Sequence, residues 1–564
     1  MTRPSDFAPT LPAGNFIATP SDPLDERIEV GICIVGGGPA GLAAAIRIGQ
    51  LLQDRPELAE SLGEIPVAVI EKGKSTGSHL LSGAVVNPRV FRQLFPGMLA
   101  SEMPFIQPVE AEAVYYLTRK RALRIPTPPS MMNHGNYVAS VSEIGRWLAE
   151  KAEELGVMIV PETAADKLLV SGGRVVGVRT GDKGRDRDGG ELGNFEPGGD
   201  IVAKATILAE GTLGHLSMAA VERFSLRQDP QVWALGVKEV WDVPKPLPHI
   251  VHTMGWPLRG GRKYREFGGS FIYPMGPDKI AVGLVVGLDH RDATVSVHDM
   301  LQELKTHSLV RGMLEGGSRV AWGAKTIPEG GLQAVPEKLH FPGGVITGDA
   351  AGLVNVPALK GIHYAMRSGM LAAETTLAAV QPGQTSWSPG ALAGYDEALK
   401  SDFVWKELKR VRNMRPAFRN GLMAGAAVSG LATASLGAMP PSSAKLEADA
   451  DSEMFIGKRD KTYPEPDGKL TFDKLSSVYL SGNESRDDAP SHIHVRQQVP
   501  RVVAEAWVNM CPAQVYEVAS GGTPAENVDV EVTPSNCVQC GAINAKGGRL
   551  TPPEGGDGPD YKLG

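Results

Sequence analysis

Val30-Gly31-Ile32-Cys33-Ile34-Val35-Gly36-Gly37-Gly38-Pro39-Ala40-Gly41 is the stretch that decides how this chain folds. Ile32, Ile34 and Val35 predict a buried strand, and the Ala-rich run through Leu42, Ala45 and Ile46 predicts a helix directly after it. Between the two, Gly36, Gly38 and Gly41 stand at the spacing of a dinucleotide-binding turn. The first permits the tight turn, the second lets backbone approach a pyrophosphate, and the third lets the helix pack closely on the strand, with the phosphates at the positive helix N-terminus. A second strand, Val67-Ala68-Val69-Ile70, ends in Glu71, placed to accept a hydrogen bond from a ribose 2′-hydroxyl. The interval from Gly41 to Glu71 is longer than usual, and the polar piece from Asp54 to Gly63 reads as an insertion.

Two more strands end in glycine turns. Ala205-Thr206-Ile207-Leu208-Ala209-Glu210-Gly211 is expected to return beside the first strand, and Gly344-Val345-Ile346-Thr347-Gly348-Asp349 to lead through Gly348-Asp349 into a helix. A nicotinamide dinucleotide needs no such return, whereas a flavin's ribityl chain and pyrophosphate are held by this Gly-Asp pair, Asp349 accepting from a ribityl hydroxyl. Turns at Gly36, Gly211 and Gly348 together predict FAD as the resident cofactor. The segment from Lys72 to Pro88, with His79, Ser82 and Gly83, is too rich in glycine for a helix and too apolar for a solvent loop, so it is expected against the cofactor.

The intervening sequence supplies the rest of the frame. Asn87 is expected to cap a helix crowding Val90, Phe91, Leu94, Phe95, Met98 and Leu99 on one face, either in the core or dipping into a membrane. Ala111 to Ile125 suggests paired strands, Ser142 to Leu155 an amphipathic helix, Val157 to Val170 and Arg174 to Arg179 strands, and Gly181 to Gly199 a surface hairpin or loop. Short β-like runs from Gln231 to Gly317 suggest a second, substrate-side sheet.

The 564 residues are enough for several domains, and 42% hydrophobic with 21% charged is ordinary for a globular protein. A net charge of −7 argues against general nucleic-acid binding. Only four cysteines, Cys33 inside the first strand and three near the C-terminus, argue against a disulfide framework and fit a reducing compartment. The first residues hold Asp6, Asp22, Asp25 and Glu26 and no apolar run, which predicts a loose N-terminal arm and no signal or transit peptide.

Lys406, Lys409, Arg410, Arg412, Arg415 and Arg419 precede an uncharged, Gly- and Ala-rich run from Gly421 to Met439. Its few Leu and Val residues contribute only about −2 kcal/mol to insertion, which disfavours spanning a bilayer. The basic flank suits a helix lying in the interface, and a buried pair of small-residue helices is the other reading. Near the end of the chain stand Cys511-Pro512 and Cys537-Val538-Gln539-Cys540, thiolate ligands at the spacing of ferredoxin-like iron-sulfur sites, with a structural zinc as an alternative for the same residues. Where a fourth cysteine would fall the chain has Ile543, and no histidine lies beyond His494.

From about residue 28 onward the chain resembles the electron transfer flavoprotein-ubiquinone oxidoreductase family. The resemblance lies in His79-Leu80-Leu81-Ser82-Gly83-Ala84, Asn133-His134-Gly135-Asn136-Tyr137, Val237-Lys238-Glu239-Val240-Trp241, Gly255-Trp256-Pro257-Leu258, Gly268-Gly269-Ser270-Phe271, Lys360-Gly361-Ile362-His363 and Pro553-Glu554-Gly555-Gly556. It implies an α/β fold: an FAD-binding Rossmann-like domain of glutathione-reductase type, an inserted β-rich quinone-binding domain and a C-terminal ferredoxin-like module. The expected boundaries are an arm over 1–28, FAD-binding segments over 29–110, 140–230 and 335–400, quinone-binding segments over 111–139 and 231–334, a membrane-surface segment over 401–455 and the iron-sulfur module over 456–564.

It also implies the activity of an electron-transferring-flavoprotein dehydrogenase: electrons taken from reduced electron transfer flavoprotein are passed to ubiquinone at a monotopic membrane surface, here the cytoplasmic face of a bacterial inner membrane. Gly268 and Gly269 would offer backbone to a quinone oxygen, so valine at either is expected to impair quinone reduction more than flavin retention. Cys511, Cys537 and Cys540 match the ligands of the family's 4Fe-4S cluster, and Ile543 does not. The other readings of this scaffold are an FAD-dependent oxygenase or polyprenyl reductase, and a cluster-less flavoprotein that only docks electron transfer flavoprotein. No side chain is assigned as a catalytic acid, Tyr273 and His363 being equally suited to packing.

Overall fold

In a computed structural model of the chain, described here over residues 2–21, 27–380, 390–418, 422–435, 438–440, 442, 445–457 and 463–564, the glycine-turn strand Arg27–Val35 lies inside a nine-stranded sheet. Its inner residues Ile32, Cys33 and Ile34 are fully buried because the sheet is covered on both faces. Along the sheet the order is Ile17–Ala18, Ala165–Ser171, Arg174–Thr180, Asp200–Leu208, Arg27–Val35, Val67–Ile70 and Met158–Val160. Gly344–Ile346 runs parallel to Asp200–Leu208, so all three strands with glycine turns end on the same edge. The helices Pro39–Gln53, Val141–Glu153 and Ile362–Ala379 pack around this core.

A seven-stranded, largely antiparallel sheet forms the second layer, in the order Ser318–Pro328, Trp233–Asp242, Lys279–Gly287, Gly268–Pro274, Ile250–Gly255, Glu112–Leu117 and Ala122–Ile125. A small three-stranded sheet of Val85–Val86, Tyr137–Ala139 and Phe105–Pro108 bridges the two. The C-terminal module is built of two-residue and three-residue strand pairs around the helix Arg501–Met510. Its last segment returns to the flavin layer: Gly556 N donates to Lys72 O, Tyr561 N to Ser78 O, and Gly564 N to Ser142 Oγ.

Several expectations are corrected. The N-terminal arm is not loose: Ile17–Ala18 adds a strand to the large sheet, and Phe16 is buried edge-on against His215. Asp22, Asp25 and Glu26 lie outside the described residues. The single strand expected over 157–170 is two, Met158–Val160 and Ala165–Ser171, because Pro161 offers no N–H to a ladder. The helix after Asn87 covers only Arg89–Leu94, since Pro96 and Gly97 end it, and Val90, Phe91 and Leu94 are core residues. Gly348-Asp349 leads first into a 3-10 turn, Gly348–Ala351. The left-handed Gly352 and Leu359 interrupt the backbone before the helix Ile362–Ala379 begins.

The basic stretch folds as helices Phe403–Val411, Met414–Phe418 and Leu422–Ala434; Arg419, Gly421 and Leu436 lie outside the described residues. Among the described residues no helix is long and apolar enough to cross a membrane. Arg415 is no surface charge: it is buried and paired with Asp289 at 2.9 Å and Glu329 at 3.1 Å.

Candidate functional site

Close packing at the glycine turn follows from what is missing there. A Cβ on Gly41 would fall 2.1 Å from Gly36 O, and one on Gly36, whose φ is +107°, would fall 2.5 Å from Ala209 O. Glu71 sits at the end of its strand as expected, and its carboxylate fastens the turn, accepting from Gly37 N at 2.8 Å and Gly73 N at 2.7 Å. Glu210 caps a different helix, His215–Arg223, accepting from Leu216 N and from Ser217 N and Oγ. Gly348 N donates to Ser368 Oγ at 2.9 Å.

These turns open onto one cavity of about 380 Å³. Gly36, Gly38, Glu71, Ser82, Gly83, Gly211 and Asp349 line it, whereas Gly41 and Gly348 stand just behind the wall. The cavity continues beneath the second sheet, where Lys238, Phe271 and Tyr273 form its far side. Gly268 and Gly269 are not on the wall. They pair with Val286 and Val285, and their missing side chains serve strand packing: a Cβ would fall 1.9 Å from Val285 O at Gly268 and 2.6 Å from Thr253 O at Gly269.

The charges around the cavity are set by burial. Asp349 faces it with no side-chain donor among the described residues, and desolvation pushes its carboxyl up to about 6. Lys238 donates to Ser82 O at 2.9 Å and Leu563 O at 2.8 Å, and burial brings its ammonium down to about 7. Lys360 is lowered by burial to about 8. His252 Nε2 and Tyr273 Oη are hydrogen-bonded, burial holding the imidazole near 3 and the phenol above its ordinary value. His363 is likewise held near 3 by burial and stacks beside Tyr364 and Phe403.

Such a chamber fits a flavin dinucleotide. Its glycine turn has no side chain in the pyrophosphate's path, and it offers an unpartnered buried carboxylate for a ribityl hydroxyl and a buried ammonium beside an apolar far wall. Lys238, Lys360 and His252 were missed by sequence reasoning. Lys238 carried a signal, because adjacent Lys238 and Glu239 interrupt an apolar strand and must face opposite sides of it. Glu239 is buried on that other side against Lys305, Arg319, Gln302 and Trp241.

The thiols share a wall with the cavity. Gln539, inside the Cys537–Cys540 turn, and Gly541 both line it, while Cys540 O accepts from Thr326 N at 2.9 Å and Oγ1 at 2.8 Å. Cys511, Cys537 and Cys540 are free thiols, and burial raises all three, Cys540 to about 12. Among the described residues no three His, Cys, Asp or Glu side chains are grouped as ligands of a single metal ion. Ile543, in the helical turn Ala542–Ala545, is buried and cannot ligate. The residues therefore do not fit a four-thiolate cluster.

A family model described as ETF-QO, ubiquinone-binding matches residues 233–327. One for the 4Fe-4S domain of electron transfer flavoprotein-ubiquinone oxidoreductase matches 468–562, and an FAD binding domain matches 91–236. The mitochondrial electron transfer flavoprotein-ubiquinone oxidoreductase of Arabidopsis thaliana is 38% identical, over 96% of this chain and 86% of its own. That of Homo sapiens is 37% identical, over 94% of this chain and 89% of its own. Among solved structures, a geranylgeranyl bacteriochlorophyll reductase-like protein from Thermoplasma acidophilum aligns with a TM-score of 0.54 at 18% identity, covering 75% of this chain and 95% of that one, a likeness of fold.

Proposed function

Because the chain belongs to the electron transfer flavoprotein-ubiquinone oxidoreductase family, we propose that its cavity carries electrons from reduced electron transfer flavoprotein to ubiquinone through bound FAD. The observation that carries this reading is continuity: one chamber is lined by the glycine turn at Gly36 and Gly38 and by Lys238, Phe271 and Tyr273, which fall within the segment matched as ubiquinone-binding.

FAD supplies a carrier that is stable to both one-electron and two-electron exchange. The chain's residues do the rest. Gly36, Gly38 and the N-terminus of the helix Pro39–Gln53 would cradle the pyrophosphate, Glu71 holds the turn rigid through Gly37 N, and Asp349 would accept from a ribityl hydroxyl. Lys238, its Nζ fixed by two carbonyls and lowered by burial to about 7, puts on the chamber wall an amine that gains or loses a proton near neutral pH. Tyr273 holds a proton at Oη on the quinone side, with His252 behind it.

The membrane reading rests on the mouth of the cavity. Leu359 lines the chamber and is half exposed, and its turn packs on the turn that ends at Pro129–Met131, next to the exposed Met132, and on the helix Met414–Phe418. The helix Leu422–Ala434, with exposed Leu431, packs on the same side. An oily quinone tail would leave here into lipid, where it costs least, on the cytoplasmic face of a bacterial inner membrane.

Steady-state reduction of ubiquinone by reduced electron transfer flavoprotein tests the activity. Turnover that depends on FAD supports it; flavin-replete protein that oxidises only NAD(P)H with oxygen or a polyprenyl substrate, or docks the donor without passing electrons on, overturns it. Sedimentation with anionic vesicles, weakened by Leu359→Ser together with Met132→Ser, tests the membrane face.

A further inference from the structure

The module's fourth ligand position is closed, and the other three are built. Cys511 Sγ faces the backbone N–H groups of Val515, Ala513 and Gln514 at the end of the helix Arg501–Met510. Cys537 Sγ accepts from Gln539 N at 3.4 Å, and Cys540 Sγ faces Ala542 N. Backbone donors of this kind hold thiolate charge in an iron-sulfur site and tune it. Cys511 and Cys537 belong to one buried apolar cluster with Tyr516, and Cys540 packs against it.

The cations are placed to match. Lys72 Nζ reaches Gln539 Oε1 at 2.5 Å, and Lys325 Nζ reaches Gln539 O at 3.1 Å, both from the cavity side of the Cys537–Cys540 turn. The charged groups beyond the cysteines that act most on the sulfurs are lysines: Lys474 on Cys511, Lys72 on Cys537 and Lys325 on Cys540. The surroundings favour a buried anion bound by three thiolates.

Ile543 stands where the sequence would place the fourth ligand, in the same buried apolar cluster as Cys511 and Cys537. It is buried, and Gly548 is packed so tightly on it that a Cβ there would fall 2.5 Å from Ile543 Cγ1 and 2.9 Å from Val495 Cγ1. A fourth iron at this position would need a ligand, and a water standing in for one would need room and polar partners that an isoleucine, a glycine and a valine do not offer.

We propose that this module is a three-thiolate site for a three-iron, four-sulfide cluster on Cys511, Cys537 and Cys540, whose vacant corner is covered by Ile543. Each of three irons then has one thiolate, and the sulfides at the missing corner meet an apolar wall that asks for no ligand. The inference is independent of the quinone reading, because its readouts are composition and spin state, not turnover.

The test is anaerobic purification of the full-length flavoprotein, followed by iron, zinc and sulfide analysis and low-temperature electron paramagnetic resonance before and after dithionite. About three irons and four sulfides per chain are expected, with a resonance in the oxidised protein that dithionite changes, since a three-iron cluster is half-integer spin when oxidised and a four-iron cube is silent in that state. Ile543→Cys should raise iron to about four and move the resonance to the reduced state, and Cys511→Ser should lose the iron while keeping FAD. Four irons with a reduced-state signal in the unaltered chain overturn the proposal. So does zinc in place of iron, or an absence of iron that persists after anaerobic reconstitution with ferrous iron and sulfide.

Discussion

The Tyr273 hydroxyl and His252 Nε2 are 2.7 Å apart across the neighbouring strands Gly268–Pro274 and Ile250–Gly255, with ring planes at 77°. With Nε2 as donor, the phenol O–H is free to point into the cavity. Burial keeps the imidazole neutral and the phenol protonated across the working pH range. Tyr273→Phe is therefore expected to lower quinone turnover about a hundredfold, the scale of a lost positioned acid, while FAD stays bound. Turnover against pH should show no ionisation from this pair between about pH 5 and 9. Steady-state kinetics alongside flavin absorbance check both.

Asp349 makes flavin affinity depend on pH. Its carboxyl stands at about 6 in the free protein because it is desolvated. A ribityl hydroxyl bonds the ionised form better, so binding releases a proton below that value, and affinity should rise from about pH 4 to about pH 7 and then level. Asp349→Asn should weaken FAD about ten- to a hundredfold, the scale of about 1.5–3 kcal/mol for a hydrogen bond to a charged group, and remove the slope. Fluorescence titration of the apoprotein reads both.

Gly268 and Gly41 distinguish two kinds of glycine. Valine at Gly268 meets Val285 O inside the seven-stranded sheet, so the loss is expected in folding, at least about 2 kcal/mol, and not selectively in quinone reduction as the sequence alone suggests. Valine at Gly41 meets Gly36 O and should release FAD. Urea unfolding and flavin content separate the two variants.

Glu239 ties stability to acid. Burial alone would raise its pKa, but Lys305 and Arg319 outweigh that and bring it down to about 2. A depressed carboxylate contributes stability that is complete above its unfolded value of about 4.5 and is lost as pH falls toward 2. Glu239→Gln leaves a buried ammonium without its counter-charge and should cost about 3–5 kcal/mol at neutral pH. The same variant should flatten the acid limb of a stability profile measured by denaturant titration.

What could be read from the sequence was what local chemistry dictates. Gly36 and Gly41 announce themselves because a Cβ at either would collide with backbone, and the strand Asp200–Leu208 beside Arg27–Val35 followed from its own glycine turn. The cysteine spacing was equally plain. Hidden features depend on what the chain meets in three dimensions. Phe16 reads as part of a polar arm until His215 receives it. Arg415 looks like a surface cation until Asp289 and Glu329 enclose it. Gly268 and Gly269 resemble ligand-facing glycines, yet the contacts that forbid a side chain there belong to Val285 and Thr253 on adjoining strands.

The return of residues 552–564 to the flavin layer has a consequence for synthesis. Pro552 lines the chamber, Tyr561 N bonds Ser78 O, and Leu563 O helps hold Lys238, so a wall begun at Gly36 is finished by residues translated more than five hundred positions later. A ribosome-bound nascent chain lacking them presents an open, partly apolar trough, the kind of exposed surface that chaperones engage. Secure flavin loading should thus follow translation of this segment.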